Sequence, residues 1–303
     1  MNRQELISRI DELKRRREAV ILVHNYEPAT VQEVADFAGD SLELARKAAA
    51  TDASVIVFCG VHFMAETAAV LSPDKTVVMP RIEAGCPMAD MADAEGLREL
   101  KAEHPGSPVV CYVNSSAAVK AESDVCCTSA NAVDVVESLP EDREVIFVPD
   151  RFLGAHVERC TGRELVRWEG YCPVHYAILG EDIERARARF PGAEIWAHPE
   201  CVPEVAEHVD YVLSTGQMVE RAGETEAETV VVATEVGMLH RLRRERPGVT
   251  FVPASEQAVC VDMKLARLED VLRCLEELEP RVEVPEDVRG RAAAAVKRML
   301  EIK

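Results

Sequence analysis

A long internal period constrains this chain more than any other feature. Cys86, Cys172 and Cys260 stand 86 and 88 residues apart. Each closes a stretch that reads alike: Glu83-Ala-Gly-Cys86-Pro-Met, Glu169-Gly-Tyr-Cys172-Pro-Val and Glu256-Gln-Ala-Val-Cys260-Val-Asp-Met. Polar residues keep the same register. His24, Tyr112 and His198 are 88 and 86 apart, as are Tyr26, Asn114 and Glu200, and also Ser41, Ser129 and Thr215. A period of this length describes three repeated domains, not a solenoid of short repeats. A chain of 303 residues has room for them and for a sizeable core.

Apolar runs mark the strands within each repeat. Residues 2–17 carry Leu6, Ile7, Ile10 and Leu13 at helical spacing. Residues 20–23 are apolar throughout, the pattern of a strand buried on both faces. Helices are expected over 31–37, from Gly39-Asp-Ser41 through 50, and over 62–71, with strands at 54–59 and 76–80. That is a β-α-β-α-β unit. It recurs with strands at 109–113, 144–148 and 165–168, then at 194–197, 229–233 and 249–252.

The fold class expected is α/β: three homologous αβα domains with parallel sheets, spanning 1–87, 88–174 and 175–284. Two last helices, 263–278 and 286–302, are expected to pack back on the first domain, with 285–303 joined to it. Loops at the carboxyl ends of parallel strands line the ligand site. All four triplets fall on such loops or on the helix starts they feed. Arranged around a pseudo-threefold axis, the domains would point every triplet at one central cavity.

Composition narrows the chemistry. No apolar run approaches the roughly 20 residues that span a bilayer, and the charged start is no signal peptide, so the default expectation is cytoplasmic, with no membrane partner. A net charge of −19 argues against nucleic acid, whose binding depends on cations displacing counterions from phosphates. Ten cysteines in such a compartment are not a disulfide framework. Cys59, Cys111, Cys126, Cys127, Cys160, Cys201 and Cys274 show no usable spacing and read as small apolar residues.

The three periodic thiols differ. Structural zinc sites take four ligands and favour pairs such as C-x₂-C, which this chain lacks. Electron-transfer clusters also take four cysteines. Three thiolates around a cubane cluster would leave one iron open, a Lewis acid for a carboxylate, carbonyl or hydroxyl oxygen. The alternative is three homologous core thiols left by triplication. Ser41, Ser129 and Thr215 stand at expected helix starts, where they either cap the helix or help free N–H groups hold carboxylates or a phosphate. His24, Tyr26, Tyr112, Asn114, His198 and Glu200 offer acid, base and hydrogen-bonding groups to one bound substrate. His175, three residues past Cys172, either supports the thiol site or is a surface residue.

Together these motifs resemble the quinolinate synthase family, from about residue 20 to about 265. They are His24-Asn-Tyr26, Gly39-Asp-Ser41, Gly85-Cys-Pro-Met88, Tyr112-Val113-Asn114, Thr128-Ser-Ala-Asn131, Gly170-Tyr-Cys-Pro-Val-His175, His198-Pro199-Glu200-Cys201, Ser214-Thr-Gly216 and Cys260-Val-Asp-Met-Lys264. The resemblance implies three αβα domains about a pseudo-threefold axis. At their junction it implies one 4Fe-4S cluster per chain, on Cys86, Cys172 and Cys260. It implies a transferase that condenses iminoaspartate (iminosuccinate) with dihydroxyacetone phosphate to quinolinate, releasing phosphate and water, in de novo NAD biosynthesis. A functional link to an iminoaspartate-producing enzyme follows. By position, His24, Ser41, Tyr112, Val113, Asn114, Ser129, His198, Pro199, Glu200 and Thr215 would bind substrate, and Glu200, Tyr26 and His198 would move protons.

Two departures stand out. Asp262 occupies a place where the family more often has asparagine, and the chain lacks the C-x-x-C pair some members carry near the C-terminus. Redox control through such a pair is therefore not expected. The residues also admit a hydro-lyase acting on a hydroxy acid through the same iron. A cluster-bearing redox carrier or iron sensor is a third reading, and it calls for four thiolates.

Overall fold

Strands too apolar to face water on either side require a layer on each. In the computed structural model, which describes residues 1–302, the runs at Val55–Cys59, Val109–Tyr112 and Val145–Val148 are buried at every position. Alternation along the strands divides the first core in two. Ile21, Val23, Val55, Val57 and Cys59 meet the helices Arg3–Arg16 and Leu268–Glu277. Leu22, Ile56 and Phe58 point the other way, onto the layer of Ser41–Ala50 and His62–Leu71. This is an αβα sandwich built from a period-two pattern.

Three such sheets follow one another, each parallel and four-stranded. The first comprises β1 (Ala19–His24), β2 (Phe37–Gly39), β3 (Val55–Cys59) and β4 (Thr76–Val78), in the order β2-β1-β3-β4. The second comprises β5 (Val109–Tyr112), β6 (Val125–Cys127), β7 (Val145–Val148) and β8 (Leu165–Arg167), in the order β6-β5-β7-β8. The third comprises β9 (Glu194–Ala197), β10 (Tyr211–Val212), β11 (Thr229–Ala233) and β12 (Thr250–Pro253), in the order β10-β9-β11-β12. The identical order in all three sheets is the triplication made visible. Crossovers leave the first strand of each unit in opposite directions, so its carboxyl end lies at a topological switch point, where α/β folds bind ligands.

Each unit holds one strand more than its sequence pattern predicts. The extra strands β2, β6 and β10 are edge strands of two or three residues, too short to show a period. The helix expected over 31–37 is the single turn Ala29–Gln32, and Phe37 already belongs to β2. The C-terminal helices part company. Leu268–Glu277 packs on Arg3–Arg16 of the first unit. Glu286–Glu301, expected there too, lies mainly along Ala117–Ala121 and β6 of the second unit and also touches His62–Leu71. Arg291 fixes it by donating to Glu122 at 2.9 Å and to the Ala121 carbonyl at 3.3 Å, so it bridges two units. Among the described residues no helix is long and apolar enough to cross a membrane.

Candidate active site

The loops that follow the first strands meet the cysteine loops around one cavity. His24 ends β1 and His198 follows β9 directly. Both fold back in the same way: the ring Nδ1 of His24 accepts the Tyr26 amide at 3.2 Å, and that of His198 accepts the Glu200 amide at 3.3 Å. An Nδ1 that accepts leaves the proton on Nε2. Burial depresses both imidazoles to about 3. Lys264 lowers His24 further while Glu200 opposes, and Glu200 likewise opposes at His198. Both rings are therefore neutral near pH 7.

Glu200, 3% exposed, is the hub. Its Oε1 accepts the Tyr112 hydroxyl at 2.5 Å and the Asn114 amide at 3.5 Å, and its Oε2 lies 2.7 Å from His175 Nδ1. Burial works to raise this carboxyl, but His175 and then His198 outweigh it and hold it at about 2. Burial and the Glu200 charge push the Tyr112 and Tyr26 hydroxyls up, so both keep their protons. Asn114 spends its amide nitrogen on Glu200, while its buried Oδ1 has no partner among the described residues. An orphaned acceptor on a cavity wall is a place for a ligand's donor.

Helix starts supply the opposite polarity. Ser41 and Thr215 are the first residues of Ser41–Ala50 and Thr215–Glu224, and capping falls to the residues before them. Asp40 accepts the Glu43 amide at 2.9 Å and Ser214 the Gln217 amide at 3.2 Å. The Ser41 and Thr215 hydroxyls are thus spared from capping and stand on the cavity wall beside two helix N-termini; Thr215 Oγ1 accepts the Asn25 side-chain amide at 3.3 Å and keeps its own proton to donate. Ser129 lines the cavity too, from the turn before Ala132–Glu137, whose cap position is Asn131.

Asp40 sits where these two helix starts meet: a Cβ on Gly216 would stand 2.5 Å from its Oδ2. Burial raises its carboxyl from 3.8 to about 6, with the Glu43 amide pulling the other way. An acid raised by folding favours the fold fully below its ordinary value, and that contribution is lost as pH rises through about 6. Asp40→Asn keeps the capping oxygen. It is expected to flatten the fall in melting temperature across that range, and an unchanged slope would clear Asp40 of the effect.

Cys86, Cys172 and Cys260 all line the cavity and are partly exposed. Of the other seven, Cys160 is exposed and the rest are buried. Burial pushes the Cys86 thiol up to about 12 and raises Cys172 and Cys260 as well, so binding a metal would displace protons. The three sulfurs do not all fall within 4.8 Å of one another. Thiolates on one zinc, at about 2.3 Å from it, would lie about 3.8 Å apart. Three soft thiolates that do not close on one small ion are a donor set an iron–sulfur group can use.

His175 is 2% exposed, against the surface alternative. Its Nδ1 lies 3.2 Å from Cys172 Sγ, and its Nε2 lies 2.8 Å from Thr234 Oγ1. Val113 and Pro199 are not among the residues lining this cavity; Val113 lines a small pocket with Phe58 and Phe63, and Pro199 a cleft with Phe152 and Pro203. Sequence reasoning missed Thr234 and Glu235. Thr234 Oγ1 lies 2.6 Å from the Tyr26 hydroxyl, and Glu235 lines the cavity. A signal existed: Asp150 and Glu235 follow the third strands of units two and three at like positions, and both are buried acids.

Strand-end loops from three parallel sheets, collected on one cavity with an ionised carboxylate at its centre, belong to an α/β enzyme acting on a small molecule. A family model described as Quinolinate synthetase A protein matches residues 8–301. Similar chains include the quinolinate synthase of Dehalococcoides mccartyi (strain ATCC BAA-2266 / KCTC 15142 / 195), 58% identical over 299 residues, 98% of this chain and 99% of that one. That of Desulforudis audaxviator (strain MP104C) is 54% identical over 298 residues, 98% of each chain. Quinolinate synthase 1 of Methanosarcina acetivorans is 52% identical over 303 residues, 100% of this chain and 99% of the other. The chain belongs to the quinolinate synthase family and is an enzyme of the synthase class.

Proposed function

We propose that the chain condenses iminoaspartate with dihydroxyacetone phosphate to quinolinate, phosphate and water, as a step of de novo NAD biosynthesis. The observation that carries this reading is the convergence of one cysteine per unit and three polar triplets on a single cavity. Cys86, Cys172 and Cys260 would hold a 4Fe-4S cluster. When bound, it supplies an iron without a protein ligand that polarises substrate oxygens.

The remaining chemistry belongs to side chains. Ser41, Ser129 and Thr215, with the N–H groups of two helix starts, bind the carboxylates and phosphate, which is how a protein of charge −19 holds anions. Asn114 Oδ1 takes a donor of the imine or hydroxyl groups. Glu200, ionised, accepts a proton at its carboxylate during isomerisation. Tyr26, still protonated, gives one from its hydroxyl to a departing hydroxide. His24 and His198, neutral, orient substrate oxygens through Nε2–H. Val113 and Pro199 act through their backbone, each between two residues that face the cavity. An iminoaspartate-producing enzyme is the partner that must supply the first substrate, and a cytoplasmic location fits that supply.

Oxygen-free protein given both substrates should generate the absorbance of quinolinate. Its absence in the presence of a full iron and sulfide complement would end this reading.

A further inference from the structure

Lys264 closes the Cys260-Val-Asp-Met-Lys264 motif but is not among the residues that line the cavity. Its ammonium lies 2.9 Å from both oxygens of Glu235 and donates to the carbonyl of Tyr26. Glu235 is 1% exposed and has further partners: Oε1 accepts the Cys260 amide at 3.1 Å, and Oε2 accepts the Gly237 amide at 2.7 Å. A Cβ at Gly237 would stand 2.5 Å from the Tyr26 carbonyl oxygen, 2.7 Å from Glu235 and 2.8 Å from Lys264. Only a residue without a side chain lets the three groups meet there.

A buried ion pair is a weak source of stability, because desolvation offsets most of its attraction. What this pair does is geometric. Its hydrogen bonds run to two loops from different units, the Tyr26 loop after β1 and the Cys260 loop after β12. The residue before Glu235 completes the grip, since Thr234 Oγ1 meets the Tyr26 hydroxyl at 2.6 Å. Tyr26 is thus held at both ends from the end of β11, its hydroxyl by Thr234 and its carbonyl by Glu235 acting through Lys264.

We propose that Glu235 and Lys264 are positioning residues that fix the Tyr26 hydroxyl in the cavity by tying its backbone to the third cysteine loop. This rests on the reading in which Tyr26 moves a proton. Lys264→Met alone leaves Glu235 buried without its cation and endangers folding. The decisive variant is therefore the double change Glu235→Gln with Lys264→Met, which removes both charges, keeps the volume, and leaves an amide oxygen for the Cys260 N–H. Its kcat should fall about 10²-fold, the cost of misplacing a reacting group by about 1 Å, with KM, iron content and melting temperature close to wild type. In a Tyr26→Phe background the same double change should cost little more, because no hydroxyl remains to be misplaced.

An unchanged kcat, or a loss fully additive with Tyr26→Phe, would overturn the proposal. So would loss of iron from the double variant, which would mean that the pair serves the thiol loop instead. If wild-type protein forms no quinolinate, the parent reading fails. Active wild type beside an indifferent double variant fails this inference alone.

Discussion

Glutamine at Glu200 should slow quinolinate formation by about 10²- to 10⁴-fold, the range a positioned acid–base group contributes, while iron and sulfide stay at wild-type levels. The argument rests on what the carboxylate touches. It accepts from Tyr112 at 2.5 Å and from His175 at 2.7 Å, and against the burial that works to raise it the carboxyl is held at about 2, with His175 the largest lowering influence. Glutamine preserves the shape and one acceptor for Tyr112. Its amide would confront His175 Nδ1, which can become the acceptor by moving its proton to Nε2, where Thr234 Oγ1 waits at 2.8 Å. The fold therefore tolerates the change, and what disappears is the basic oxygen. The cheap structural reading of Glu200, as a clamp for Tyr112 and His175, predicts a modest loss instead. Product formed at the wild-type rate by Glu200→Gln would decide for the clamp.

The triplication was legible because it left the same residue types at one period, and the structure carries that period down to hydrogen bonds. His24 and His198, 174 residues apart, each accept the amide two residues on. Local chemistry was less legible. The hydroxyls at 41 and 215 read as caps or as ligand contacts with equal right, and only the capping by Asp40 and Ser214 decides between them. The edge strands hid because two or three residues carry no pattern. The grip of Thr234, Glu235 and Lys264 on Tyr26 joins residues 208 or more positions apart, which no local pattern encodes. Asp262 stands where the family more often has asparagine. In the structure its Oδ1 accepts the Gly85 amide at 3.0 Å, a task an asparagine oxygen performs equally well, so the departure spares the loop.

Alanine at Cys86, Cys172 or Cys260 should in each case bring bound iron and sulfide close to zero, whereas alanine at Cys274 should leave both at the wild-type level. The contrast follows from where the thiols stand. The first three face the cavity from loops and are partly exposed, so truncating one removes a donor and little packing. Cys274 is fully buried in the core beneath the first sheet, and its thiol donates to the Glu279 carbonyl at 3.2 Å. Its loss costs about 1 kcal/mol of packing and hydrogen bonding and touches no metal. Melting temperatures of the metal-free proteins should accordingly rank in the opposite sense to metal content, with Cys274→Ala the lowest and the three loop variants near wild type. A polynuclear cluster on three thiolates has no spare protein ligand, so two thiolates should not retain it and the three variants should fail alike. Should one of them keep its iron while the other two lose it, that thiol is not a ligand and the threefold site is a twofold one. Equal iron and sulfide in all four variants would remove the three-thiol site altogether, and the proposed chemistry with it.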